Sequence, residues 1–91
     1  MPSLGLVDAR STSTVAAARA LTDLVDSARA THDRAVSKRR RLIAHRCTVI
    51  AVQLDAARTR LVQDGDEYIP TAWAYVDAAR VALRNYKLVL A

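Results

Sequence analysis

Phenylalanine is absent, cysteine occurs once, glycine and proline occur twice each, and Glu67 is the sole glutamate in a chain of 91 residues. Each scarcity removes an option. A single thiol, Cys47, cannot close an internal disulfide, so the fold must stand on packing, and the thiol is expected to be buried or kept in a reducing compartment. Pro2, Gly5, Gly65 and Pro70 sit at the margins of long uninterrupted segments, which excludes a turn-rich sheet and leaves helices. With one Trp, three Tyr and 52% hydrophobic residues, the core must be built largely from Ala, Val and Leu. Small side chains let helices approach closely.

No apolar run nears the roughly 18 residues of a membrane span. The N-terminus MPSLGLVDAR lacks a charged start followed by a long apolar region, so the expectation is an intracellular protein that is not secreted. A mitochondrial presequence is the alternative, because residues 1 to 22 are rich in Ser, Ala and Arg and contain Asp8 as their only acid. The net charge of +5 and pI near 10.1 favour anionic partners at long range without identifying one.

What is present is helical periodicity. Residues 1 to 12 read as a loosely ordered arm preceding a single helical domain at 13 to 91, and STST at 11 to 14 offers hydroxyls to cap a first helix. Ala18, Leu21, Val25, Ala28 and His32 form its stripe. Ile43, Cys47, Ile50, Leu54, Ala57 and Leu61 form a second stripe, closed by Asp64-Gly65. Ala72, Val76, Ala79, Leu83, Tyr86 and Leu90 form a third, with Pro70 placed in its first turn. The spacing predicts helices near 14–32, 37–63 and 69–90, an all-α three-helix bundle or a long-helix hairpin. A break at 31–37 is expected because Thr31, His32, Asp33 and Ser37 are poor helix interiors and Ser37 can cap a new helix.

A pentapeptide recurs: VDSAR at 25–29, LDAAR at 54–58 and VDAAR at 76–80. Composition alone would give a D-x-A-R string about 0.2 times. The copies lie 29 and 22 residues apart, too irregular for a solenoid. Their stripes superpose, however, so the string places a small residue, Ala28, Ala57 or Ala79, on the apolar face of each helix between an Asp and an Arg able to pair at i,i+3. A shared packing solution accounts for it better than a repeated ligand site.

Two groups of residues carry the functional expectations. Lys38, Arg39, Arg40 and Arg41 follow Ser37 and are flanked by Arg34 and Arg46. Four consecutive cations wrap around a helix, so they belong at an end or junction, where they would bind phosphates or other anions, or simply be solvated. No aromatic residue lies near them to stack a base. The aromatics gather later, and Trp73 and Tyr75, about 200° apart on a helix, are expected with Leu88 to serve as protein-docking anchors, core packing being the competing account. Beside the main stripes, Tyr75, Ala78, Ala82 and Val89, and Leu42, Val49, Val52 and Ala56, form surplus apolar surface of the kind used in oligomers and assemblies.

No catalytic constellation is evident. His32, His45 and Cys47 lack metal-ligand spacing, and DGDE at 64–67 does not continue into a calcium ladder; Asp66 is expected to cap the third helix instead. No cofactor, small-molecule substrate or membrane span is expected. The reading is a non-enzymatic structural or adaptor subunit that binds a protein partner or its own copies. A nucleic-acid-associated protein using residues 38–41 is the alternative, and a small viral or phage inhibitor is a third.

Overall fold

The computed structural model describes residues 13–91, so the expected N-terminal arm at 1–12 lies outside the described residues. The chain is all-α: α1 (Thr14–Ser37), α2 (Arg41–Asp64), one 3₁₀ turn (Gly65–Tyr68) and α3 (Ile69–Leu90). All three helices pack against one another, with α1 and α2 sharing the most extensive interface. This is the small helical bundle that the three stripes predict.

The bundle is built in three levels. Ala17, Leu21, Val25, Leu54, Ala57, Leu61, Ile69, Ala72, Val76 and Ala79 form the main core cluster. Ala28, Cys47 and Leu83 form the next, and Ala35, Ala44 and Leu90 the last. Residue numbers rise together along α1 and α3 and fall along α2, so α1 and α3 run parallel with α2 antiparallel to both. Each fully buried Leu, Ile or Val contributes about 1.5–3 kcal/mol by leaving water.

The second and third stripes fold as expected, with Ile43, Ile50 and Tyr86 half-buried and their other members buried. On α1 the outcome differs at both ends. Ala17 rather than Ala18 starts the buried row, and Thr31 and Ala35 rather than His32 finish it. Thr31 is tolerated there because its hydroxyl donates to the Ser27 carbonyl at 2.8 Å, satisfying the polar group that burial would otherwise strand. His32 lies half-buried beside the row, its Nδ1 3.1 Å from Asp33 Oδ1.

The expected break at 31–37 therefore occurs later, over Lys38 to Arg40, and the single long helix is not formed. Ser37 ends α1 instead of capping α2; Arg40 holds the capping position without a side-chain hydrogen bond. The stop is a Schellman turn: Arg40 N–H donates to Ala35 C=O at 2.8 Å and Arg39 N–H to Val36 C=O at 3.0 Å, with Arg39 in the left-handed region at φ 58°. At the start of α1 the serine cap forms as expected, Ala16 N–H donating to Ser13 Oγ at 3.0 Å.

At the other junction Gly65, at φ 64°, closes α2 through its N–H to Leu61 C=O. A Cβ here would meet no atom within 4 Å, so the backbone conformation rather than space calls for glycine. Asp66 does not cap α3 with its carboxylate; its main-chain carbonyl accepts from Ile69 N–H, and no side-chain hydrogen bond caps α3. Pro70 does stand in the first turn.

The repeated pentapeptide resolves into two behaviours. Its alanines are all buried, Ala28, Ala57 and Ala79, although Ala28 lies in the middle cluster and the other two in the main one. Asp55 pairs with Arg58 at 2.6 Å and Asp77 with Arg80 at 3.9 Å, both at i,i+3. The first copy breaks the rule: Arg29 reaches across to Asp55 at 3.7 Å. Arg58 in turn donates to Thr22 Oγ1 at 3.1 Å, so the second copy ties α2 to α1. These side chains are partly solvated, and such pairs are worth about 0.2–1 kcal/mol each.

Candidate interaction surfaces

The basic turn follows from the way α1 stops. Because the Schellman turn leaves no room for further helix, Lys38, Arg39 and Arg40 project between two helix ends, and Arg41 opens α2; all four are exposed. Val36, Arg39, Arg40, Arg41 and Ala44 line a shallow hollow at this corner. The sequence expectation of a cation cluster at a solvent-facing junction is met in position.

Tertiary structure sets further cations in the same half of the molecule. The level formed by Ala35, Ala44 and Leu90 brings the end of α3 to the α1–α2 turn, while Arg84 and Lys87 line the α1–α3 groove leading toward it. Residues 32–48 and 82–91 together hold eight Lys and Arg (Arg34, Lys38 to Arg41, Arg46, Arg84 and Lys87) against one acid, Asp33. The rest of the described chain holds five Arg against seven acids. The molecule is thus electrically polarised along its length, and a field of this kind steers anionic partners toward one end.

The three expected docking anchors do not share one surface. Trp73 is half-buried and packs against the main core cluster. Tyr75, 39% exposed, lines a groove between α2 and α3 together with Ile50, Gln53, Ala78 and Ala82, over Leu54 and Ala79. Leu88, 71% exposed, lines a different groove, between α1 and α3, with Leu24, Ser27, Arg80, Leu83, Arg84 and Lys87. The helical separation of Trp73 and Tyr75 was legible in their spacing. That Leu88 faces away from Tyr75 follows from its position about 3.6 turns further along the helix. The sequence reading missed Arg80, Arg84 and Lys87, whose i, i+4, i+7 spacing was the available signal.

Of the surplus apolar residues, Ala82 is half-buried and the others are exposed. Leu42, Val49, Val52 and Val89 all remain in contact with solvent, joined by Val15, Val36, Val62 and Val81. No helix among the described residues is long and apolar enough to cross a membrane.

Reactive chemistry is confined to few groups. Cys47 is fully buried in the middle level, and burial pushes its thiol pKa up, disfavouring the nucleophilic thiolate. His45 is exposed on α2, while His32 lies near Cys47 and Thr48 in the α1–α2 groove. Among the described residues no three His, Cys, Asp or Glu side chains are grouped to hold a metal ion. In the last turn of α2, Arg60 is held by Asp64 at 2.9 Å and lies over the Tyr68 ring, 5.6 Å from its centroid, an arrangement that stabilises the corner. No family model, curated protein or solved structure matches the chain.

Proposed function

We propose that the chain is a non-catalytic helical subunit, structural or adaptor in role, that works through helix–helix contacts in a larger protein assembly. The observation that carries this reading is the α2–α3 groove. Tyr75, Ala78 and Ala82 repeat at helical spacing along its α3 wall, opposite Ile50 and Gln53, an apolar stripe with no helix among the described residues laid over it. A stripe of small residues flanked by one aromatic suits close approach of a further helix. Sedimentation velocity over a wide concentration range tests it. Self-association, or a stoichiometric partner retained on purification, should be lost in Tyr75→Glu/Ala78→Glu with the melting temperature unchanged. A monomer at every concentration that retains no partner rejects the reading.

A second reading, a nucleic-acid-associated protein, is favoured by the charge polarity. Lys38, Arg39, Arg40 and Arg41 would grip phosphates there. Anisotropy of labelled duplex DNA and mixed-sequence RNA at about 50 and about 200 mM salt separates the two readings. Binding that weakens steeply with salt and vanishes when residues 38–41 become Gln supports the second; no binding at the lower salt dismisses it.

A further inference from the structure

We propose that the groove between α1 and α3 receives an acidic amphipathic helix of a partner protein. This rests on the reading of the chain as a binding subunit and names the chemistry of one partner. Three observations converge on it.

The α3 wall of the groove carries Arg80, Arg84 and Lys87, at i, i+4 and i+7 and so on one helical face, spanning about 10.5 Å, or two turns of an opposing helix. Leu24 and Leu83 lie beneath them, and Leu88 stands 71% exposed at the edge. A cationic wall over an apolar floor is complementary to a helix with aliphatic residues on one face and carboxylates beside them.

The cations are available. Lys87 Nζ donates to Ser27 Oγ at 2.9 Å, which fixes the ammonium across the groove and leaves its other two donors free to meet a carboxylate. Arg84 makes no ion pair among the described residues. Arg80 meets Asp77 at 3.9 Å, with both side chains more than half exposed, a weak pair that exchanges readily.

The acids nearest the groove lie at one end. Asp23 is one turn before Ser27 on α1 and Asp77 one turn before Arg80 on α3, while the opposite end continues into the basic turn. The groove therefore orients its occupant, with the carboxylates placed toward Lys87. A phosphodiester backbone would gain nothing from the leucine floor and would find no aromatic ring in the groove to stack on. A lipid surface, being flat, would not fill a cleft between helices.

The test uses the full chain and a fluorescein-labelled three-heptad peptide with Leu at positions a and d and Glu on the flanks, followed by anisotropy. The peptide should bind, and Arg84→Glu/Lys87→Glu should weaken it by about tenfold or more, as should Leu88→Ser; these residues are exposed, and melting curves confirm that the variants fold. A peptide with Lys in place of Glu should bind the reversed variant in preference to the parent. Absence of binding, or indifference to both substitutions, overturns the proposal. So does displacement of the peptide by duplex DNA or by phosphatidylglycerol vesicles whose own binding depends on Leu88, Arg84 and Lys87. Loss of association in Tyr75→Glu/Ala78→Glu is independent of these results, so the broader reading can survive failure of this one.

Discussion

The two ends of the bundle solve different problems. Near the Gly65–Tyr68 turn, Leu21, Leu54, Leu61, Ile69 and Val76 interlock in one large cluster, and acids outnumber cations. At the Lys38–Arg40 turn, the core shrinks to Ala35, Ala44 and Leu90 with Ile43 alongside, and cations crowd around it. Apolar burial is available to hold the first end. The second end gathers like charges over a thin core, an arrangement that costs stability through repulsion and gains long-range attraction for anions. Apolar burial is concentrated at one end and cationic charge at the other.

The largest test of that contrast is truncation. Leu54→Ala, in the large cluster, should cost about 2–5 kcal/mol, while Leu90→Ala, buried in the small cluster at the thin end, should fall near the bottom of that range. Urea unfolding of both variants measures the difference; an equal or greater loss at Leu90 would overturn the claim that the cores differ. Ala57→Leu sharpens it from the opposite direction. Overpacking a buried alanine between α2 and its neighbours should cost roughly 1–3 kcal/mol, and an unchanged melting temperature would show that the helices are not closely apposed there.

A smaller effect of opposite sign is expected at the basic end. Arg39 holds a left-handed conformation that an L side chain resists, so Arg39→Gly should stabilise by about 0.5–1 kcal/mol, the gain being limited by glycine's greater freedom when unfolded. A lower urea midpoint would mean that the arginine side chain stabilises the turn in a way its geometry does not reveal.

The smallest effect lies between the ends, at Cys47. Its thiol is raised by burial above the ordinary value of 9.0, so the unfolded chain releases the proton at lower pH than the folded one. Stability should therefore fall as pH rises past that value. Comparing urea midpoints at about pH 8 and about pH 10 should show a steeper decline for the parent than for Cys47→Ala. Identical slopes would place the thiol in contact with water.

Much of this fold was legible before the structure, for a definite reason. The stripes of α2 and α3 are uninterrupted and end at glycine or begin at proline, so periodicity and punctuation agree. On α1 they disagree. Thr31 and Ser37 resemble breakers by propensity, yet Thr31 bonds back to Ser27 and remains helical, while the true stop uses an arginine where glycine is usual. Local preference was overridden by burial at one position and by turn geometry at the other. The candidate surfaces were partly legible in the same way: the basic run announces itself by adjacency, but Arg80, Arg84 and Lys87 acquire meaning only beside Leu24 and Ser27.

Sequence by itself determined the helices, the three apolar stripes and the small residue each pentapeptide buries, because these depend on the 3.6-residue period and on which side chains avoid water. Tertiary structure alone decided that the first pentapeptide pairs its arginine across helices, that Trp73, Tyr75 and Leu88 occupy different places, and that Arg84 and Lys87 line a groove with Leu24 and Ser27. The physical reason is direction. Reversing α2 while keeping α1 and α3 parallel sets which levels meet, and with them which distant charges share an end of the bundle.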